Sequence, residues 1–101
     1  MKMAELIEQA GEAESFLKAL ANRHRLMILC ALHRGEICVG DLQQEVGLSQ
    51  SALSQHLARL RGDKLVATRR DAQTIYYSLA SDEARQTIAL LYAMFCSPPK
   101  Q

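Results

Sequence analysis

No stretch of this chain approaches the ~20 consecutive apolar residues that a membrane-spanning helix requires. The N-terminal run MKMAELIEQAGEAESF is acidic and broken by charge, which argues against a secretory leader or a transit peptide. The expected location is the cytoplasm, with no membrane partner. Cysteine is sparse and odd in number. Cys30, Cys38 and Cys96 do not make the dense disulfide framework of a secreted mini-protein. In a reducing compartment such residues are free thiols, metal ligands or redox sensors. A Gly-rich phosphate loop, a nucleophile elbow and a metal-binding histidine pair are all missing. The chain is therefore expected to be neither an enzyme nor the holder of a cofactor. It also lacks repeats, linkers and low-complexity segments, and its 101 residues suit one domain spanning 1–101.

What is present is an apolar half, 49% of the residues, and an uneven distribution of charge. A domain this small buries only roughly 60–65% of its unfolded surface, so dimerisation is expected from size alone. The formal net charge of +1 conceals segregation. Residues 1–15 set Lys2 against Glu5, Glu8, Glu12 and Glu14, whereas residues 56–70 set Arg59, Arg61, Lys64, Arg69 and Arg70 against Asp63. The basic part is a plausible phosphate-facing surface.

Leu6, Ala10, Ala13, Leu17 and Leu20 alternate spacings of four and three, which predicts an amphipathic first helix. Asn22 is placed to cap a second helix whose run LMILCAL is apolar all round, the pattern of a helix buried on every side. Gly35 ends it. A short helix follows over Asp41–Val46, stopped by Gly47, and Ser49 caps the next, from about Gln50 to Lys64. The period then changes. Val66–Arg70 and the alternation through Ile75, Tyr77 and Leu79 read as a β-hairpin around Asp71, Ala72 and Gln73. Lacking Asn-Gly or Asp-Gly, its turn is expected to exceed two residues. Ser81 caps a last helix with Asp82 and Glu83 in its first turn; Ala84, Ile88, Leu91 and Phe95 form a stripe that Leu90 and Met94 widen, and Pro98 and Pro99 stop it. The fold class is mainly α with a hairpin wing, in the order ααααββα.

The helix beginning at Gln50 carries the strongest functional signal. Leu53, Leu57 and Leu60 fall within about 60° of one another on a helical wheel and face the core. Ser51 and Gln55 point the opposite way, flanked by Ser54 and Arg59. A solvated helix would show the same leucine stripe, but small uncharged polar residues in place of Glu and Lys suit a surface pressed into a groove of double-stranded DNA. Glutamine reads adenine edges, serine adapts, and arginine takes guanine or phosphate. The start of such a helix, here Ser49 and Gln50, makes most base contacts. His56 lies at the margin of the stripe, as a partly buried histidine or a phosphate contact. Arg69, Arg70 and Gln73 cluster near the hairpin tip, where a wing meets phosphates or the minor groove; charges guarding an edge strand would look the same in isolation. Cys30, within its apolar run, reads on composition as a small core hydrophobe, whereas Cys96 at a helix end should be accessible.

The segment GLSQSALSQHLARLRGDKLVATRRDAQTIYYSL closely resembles the recognition helix and wing of ArsR-family repressors, and the likeness runs from ALANRHRLMILCAL to the C-terminal LYAMFC. The resemblance implies a winged helix-turn-helix homodimer joined through its first and last helices, reading a palindromic operator with half-sites ~34 Å apart. Family metal sites map poorly here. Arsenic- and cadmium-sensing members carry Cys-x-Cys where this chain has EICVGDL, with Cys38 followed by Gly40 two positions on, and no histidine lies between Asp82 and Cys96 for a zinc-type site. His24, His33 and His56 have no recognisable ligand spacing, so no metal is expected by these known sites; a soft ion held by converging cysteines is the closest rival. Cysteine in the RLMILC context, with another in the YxxFC-like ending, is similar to the sulfur- and redox-responsive branch of BigR-, SqrR-, YgaV- and HlyU-like proteins. That likeness implies that reactive sulfur species or oxidants bridge Cys30 and Cys96 and release DNA; the neighbouring charges lead to the expectation that Cys30 attacks and Cys96 resolves. The likeness also admits an anti-silencing activator in place of a repressor. His33 and Arg34, three and four residues after Cys30, place positive charge that favours a thiolate, while the helix end disfavours one at Cys96. Cys38 is without a partner by this analogy.

Overall fold

The computed structural model describes residues 1–96; the expected stop at Pro98 and Pro99 lies outside them. The elements are α1 (Met3–Leu20), α2 (Arg23–His33), β1 (Ile37–Cys38), α3 (Val39–Val46), α4 (Gln50–Gly62), β2 (Val66–Asp71), β3 (Thr74–Leu79) and α5 (Asp82–Phe95). The winged helix-turn-helix expectation holds, with one strand more than predicted. β1 adds to the hairpin as the third strand of an antiparallel sheet in the order β1-β3-β2, pairing Ile37 with Tyr77 and Cys38 with Tyr76. A two-residue strand is too short for periodicity to reveal, and it moves the start of α3 from Asp41 to Val39.

Three predicted caps form as hydrogen bonds. Asn22 Oδ1 accepts from the backbone N–H of His24 at 2.9 Å and of Arg25 at 3.1 Å; Ser49 Oγ accepts from Ala52 N–H at 3.2 Å, and Ser81 Oγ from Ala84 N–H at 3.1 Å. Each relieves a helix N-terminus of an unpaired donor, for about 1 kcal/mol. Arg25 works at the neighbouring end, donating from Nε to the Ala19 carbonyl at 2.6 Å and from Nη2 to that of Lys18 at 3.0 Å, where α1 stops. Gly47 closes α3 at φ 69°, its N–H bonded to the Gln43 carbonyl, and so sets the turn between α3 and α4.

α4 ends at Gly62, two residues before the predicted Lys64. Leu65 N–H reaches back to the Leu60 carbonyl at 2.9 Å and Lys64 N–H to that of Arg61 at 3.0 Å, the two bonds of a Schellman closure. Lys64 takes the left-handed position, φ 62°, usually given to glycine. The hairpin turn is shorter than expected: Asp71 pairs with Thr74, leaving only Ala72 and Gln73, and Ala72 supplies the positive φ of 55° that glycine or asparagine would normally provide.

The core joins Ile28, Leu29 and Leu32 of α2, Leu42 and Val46 of α3, Leu53, Leu57 and Leu60 of α4, and Ala84 and Ile88 of α5, closed by Leu65, Val66 and Leu79. α2 is not buried on every side, because Met27 and Cys30 are exposed. The stripe of α1 exists, but only its end is covered: Ala19 and Leu20 are buried while Leu6 and Leu17 face outward. No helix among the described residues is long and apolar enough to cross a membrane.

Candidate nucleic-acid interface and thiol groove

α4 divides as its sequence period requires. Leu53, Leu57 and Leu60 are sealed in the core, while Gln50, Ser51, Ser54, Gln55 and Arg59 are exposed. Ser49 is exposed too, but its hydroxyl is committed to the cap. Ser54 opens onto a shallow depression shared with Ala58 and Arg61 of α4 and Tyr77 of β3, so the polar face of α4 continues directly to the hairpin. Arg59 bonds Asp63 from Nε at 2.9 Å, one turn along. Such an exposed pair is worth only a few tenths of a kcal/mol, so a phosphate can readily displace it.

His56 is half-buried and leans on His24 of α2, ring centroids 5.8 Å apart. Burial, then the charge of Arg25, then His24 hold its pKa below the ordinary 6.5. It links α4 to α2 and does not point with Gln55. His24 Nδ1, buried beside it, has no hydrogen-bond partner.

The two wing arginines differ. Arg70 is exposed and has no ion pair among the described residues. Arg69 is held internally: Nε donates to Glu36 Oε2 at 3.1 Å, Nη2 to Oε1 at 2.7 Å, and the guanidinium lies 4.5 Å from the Tyr76 ring centroid. Those hydrogen bonds lower the Glu36 carboxyl below its usual range and raise the guanidinium. Gln73 is exposed at the tip. Sequence reasoning missed Glu36, which is 33 residues from its partner and carries no local signal.

The thiols occupy a different region. Cys30 lines an open groove of ≈ 700 Å³ between α2, α3 and α5, with Met27 and Ala31 of its own helix, Val46 of α3, and Ile88, Ala89 and Tyr92 of α5. The core reading of Cys30 is thus corrected: α5 covers part of α2 and leaves this strip open. His33 and Arg34 line the same groove, but Arg34 is ion-paired with Glu45 of α3. Cys96 follows α5 directly. Its backbone N–H bonds the Tyr92 carbonyl at 2.8 Å, which puts it one helical turn beyond Tyr92, past the residues that line the groove. Both thiols are exposed and unbridged; Cys38 is half-buried on β1, opposite Tyr76. Among the described residues no three His, Cys, Asp or Glu side chains come together as a metal site.

A family model described as "Bacterial regulatory protein, arsR family" matches residues 22–68, from the α2 cap into β2. The transcriptional activator HlyU of Vibrio cholerae is 49% identical over 96 residues, covering 95% of this chain and 89% of that protein. The crystal structure of the transcriptional repressor BigR from Xylella fastidiosa superposes with a TM-score of 0.91 at 39% identity, over 97% of this chain and all of that one. Reduced HlyU from Vibrio cholerae superposes at 0.88 with 48% identity, over 94% of this chain and 100% of that chain.

Proposed function

The chain belongs to the arsR family of bacterial regulatory proteins, transcriptional regulators and not enzymes; on that premise we propose a dimeric repressor that leaves its operator when Cys30 and Cys96 are bridged. DNA is met by the N-terminal turns of α4, through Gln50, Ser51, Ser54 and Gln55, with Arg59, Arg70 and Gln73 reaching phosphates and the minor groove. Ser49 acts as cap, leaving backbone N–H groups at the helix start to favour a phosphate. One relative is named an activator and another a repressor. The repressor reading follows the BigR name and an anti-silencing activator would follow the HlyU name, and in both the thiols control occupancy.

The observation that carries the thiol reading is the open groove: Cys30 is exposed in it, and its α5 wall leads one turn on to Cys96. With a persulfide RSSH as inducer, the Cys30 thiolate attacks the outer sulfur and releases RS⁻, which is protonated to RSH. Cys96 then attacks Cys30 Sγ and expels hydrogen sulfide, leaving a Cys30–Cys96 disulfide. The two protein thiols supply the two electrons, and the persulfide is reduced to the thiol RSH and hydrogen sulfide. A bond across the groove draws the end of α5 toward α2, and α2 packs against both α3 and α4.

Fluorescence anisotropy on promoter DNA, before and after persulfide, tests this, with intact mass spectrometry on the same samples. Affinity should fall by at least about tenfold, roughly 1.4 kcal/mol, as the bridge forms. Cys30→Ser should abolish the fall. A bridge that leaves affinity unchanged ends the thiol reading and keeps the DNA reading. Labelling of Cys96 well before Cys30 by limiting alkylating reagent would reverse the order of attack.

A further inference from the structure

Arg69 and Arg70 are adjacent on a strand, so their side chains leave opposite faces of the sheet. Arg70 pairs with Ile75, whereas Arg69 pairs with Tyr76, and Tyr76 pairs on its other side with Cys38 of β1. Directly paired residues share a face. The Arg69 side chain therefore runs inward along the sheet over the Tyr76 ring and ends on Glu36, immediately before β1. It straps the outer wing strand across the inner one to the segment that opens α3, the first helix of the helix-turn-helix.

Magnitudes decide what such a strap is for. Its side chains remain 53% and 36% exposed, and a solvent-exposed pair adds little to global stability. Its geometry is nevertheless specific. Two parallel bonds to one carboxylate and a stack on an aromatic face fix the guanidinium in one orientation, which a lysine cannot copy. We propose that Arg69 and Glu36 form a clamp that sets the angle of the wing against α3 and α4, making both positioning residues for DNA binding, with Arg70 as the wing's phosphate contact. This rests on the DNA-binding reading.

The sign of one substitution separates the clamp from the alternative. Were Arg69 a phosphate contact held in reserve, Glu36→Gln would free a cation and remove a repelling carboxylate, and DNA affinity would rise. The clamp requires it to fall. Affinities for promoter DNA across a salt series would be measured for wild type, Glu36→Gln, Arg69→Ala, Arg69→Lys, Arg70→Ala and the Glu36→Gln/Arg69→Ala double variant. Glu36→Gln and Arg69→Ala should each weaken binding by about 3- to 10-fold, and the double variant no further than either. The two should shift the salt slope alike, and by no more than the loss of about one that Arg70→Ala gives, because a tilted wing costs only the Arg70 phosphate contact. Arg69→Lys should behave as Arg69→Ala despite its charge. Tighter binding by Glu36→Gln, or a slope lowered by Arg69→Ala and not by Glu36→Gln, overturns the clamp. Residual dipolar couplings of the hairpin amides read the wing angle without DNA: an unchanged angle in Glu36→Gln overturns the clamp whatever the binding data show. Failure of wild type to bind DNA, with the angle shifted in Glu36→Gln, overturns the DNA reading alone.

Discussion

The α3–α4–hairpin region and the α1–α2–α5 region solve opposite problems with the same chain. In the first, apolar residues are sealed and polar ones are tied: Leu53, Leu57 and Leu60 are buried, Ser49 caps α4, Arg59 holds Asp63, and Arg69 holds Glu36. In the second, apolar side chains stand open, with Leu17 at 59%, Leu90 at 58% and Phe95 at 77% exposed. The first region is complete within one chain, and its exposed polar face suits a charged, wet partner. The second is unfinished in one chain and suits an apolar one, which supports a second copy meeting it through α1 and α5. Cys30 and Cys96 belong to that second region, so the bridge proposed above would form away from the polar face of α4.

The largest effect should come from breaking the unfinished side. Leu90→Asp adds a charge to an apolar face and, in a two-fold dimer, does so twice. Losing two buried leucines costs roughly 3–6 kcal/mol, so the dimer dissociation constant should rise at least about 100-fold. Sedimentation equilibrium reads this directly, and the monomer should keep its helical circular dichroism because Leu90 lies outside the core. An unchanged dimer would remove α5 from the interface.

The same contrast between regions explains what was legible in the sequence. Caps are local, so Asn22, Ser49 and Ser81 announced three helix starts, and the leucine period of α4 placed its buried face correctly. Long-range partners were not legible. Nothing near Arg69 points to Glu36, and nothing in LMILCAL distinguishes the strip of α2 under α5 from the open strip that carries Met27 and Cys30. β1 was hidden for a related reason, since two residues become a strand only through a neighbour some 40 positions away. The polar face of α4 and the pair of thiols were visible as residue types; which arginine is free and which thiol is exposed required the packing.

An intermediate effect should appear where the two regions touch, at His56. Its folded pKa lies below 6.5 through burial and the nearby Arg25 and His24. The unfolded chain takes up the proton first as pH falls. Folding stability should thus be indifferent to this group above about 7 and decline with acidity just below 6.5, because unfolded molecules bind more protons there. Arg25 cannot swing away to relieve the repulsion, being bonded to the last carbonyls of α1. His56→Gln should flatten that part of the stability profile in urea melts taken between pH 7.5 and 5.5. An equally steep decline in the variant would assign the effect to another group.

The smallest effect sharpens the comparison from the finished side. Lys64 occupies a left-handed backbone position at the close of α4, at a cost of roughly 1–2 kcal/mol to a residue with a Cβ. Glycine removes that cost but loses about 0.5–1 kcal/mol through the greater freedom of the unfolded chain. Lys64→Gly should therefore stabilise the fold by a few tenths to about 1 kcal/mol, read as a shift in the urea midpoint. Its effect on DNA binding should run the other way if Lys64 belongs to the phosphate-facing surface, because a cation leaves. Lys64 is exposed and makes no ion pair among the described residues, so any work its charge does lies outside the fold. Greater stability with weaker, less salt-dependent DNA binding would identify that work as phosphate neutralisation; greater stability with unchanged binding would confine the basic surface to Arg59, Arg61 and Arg70.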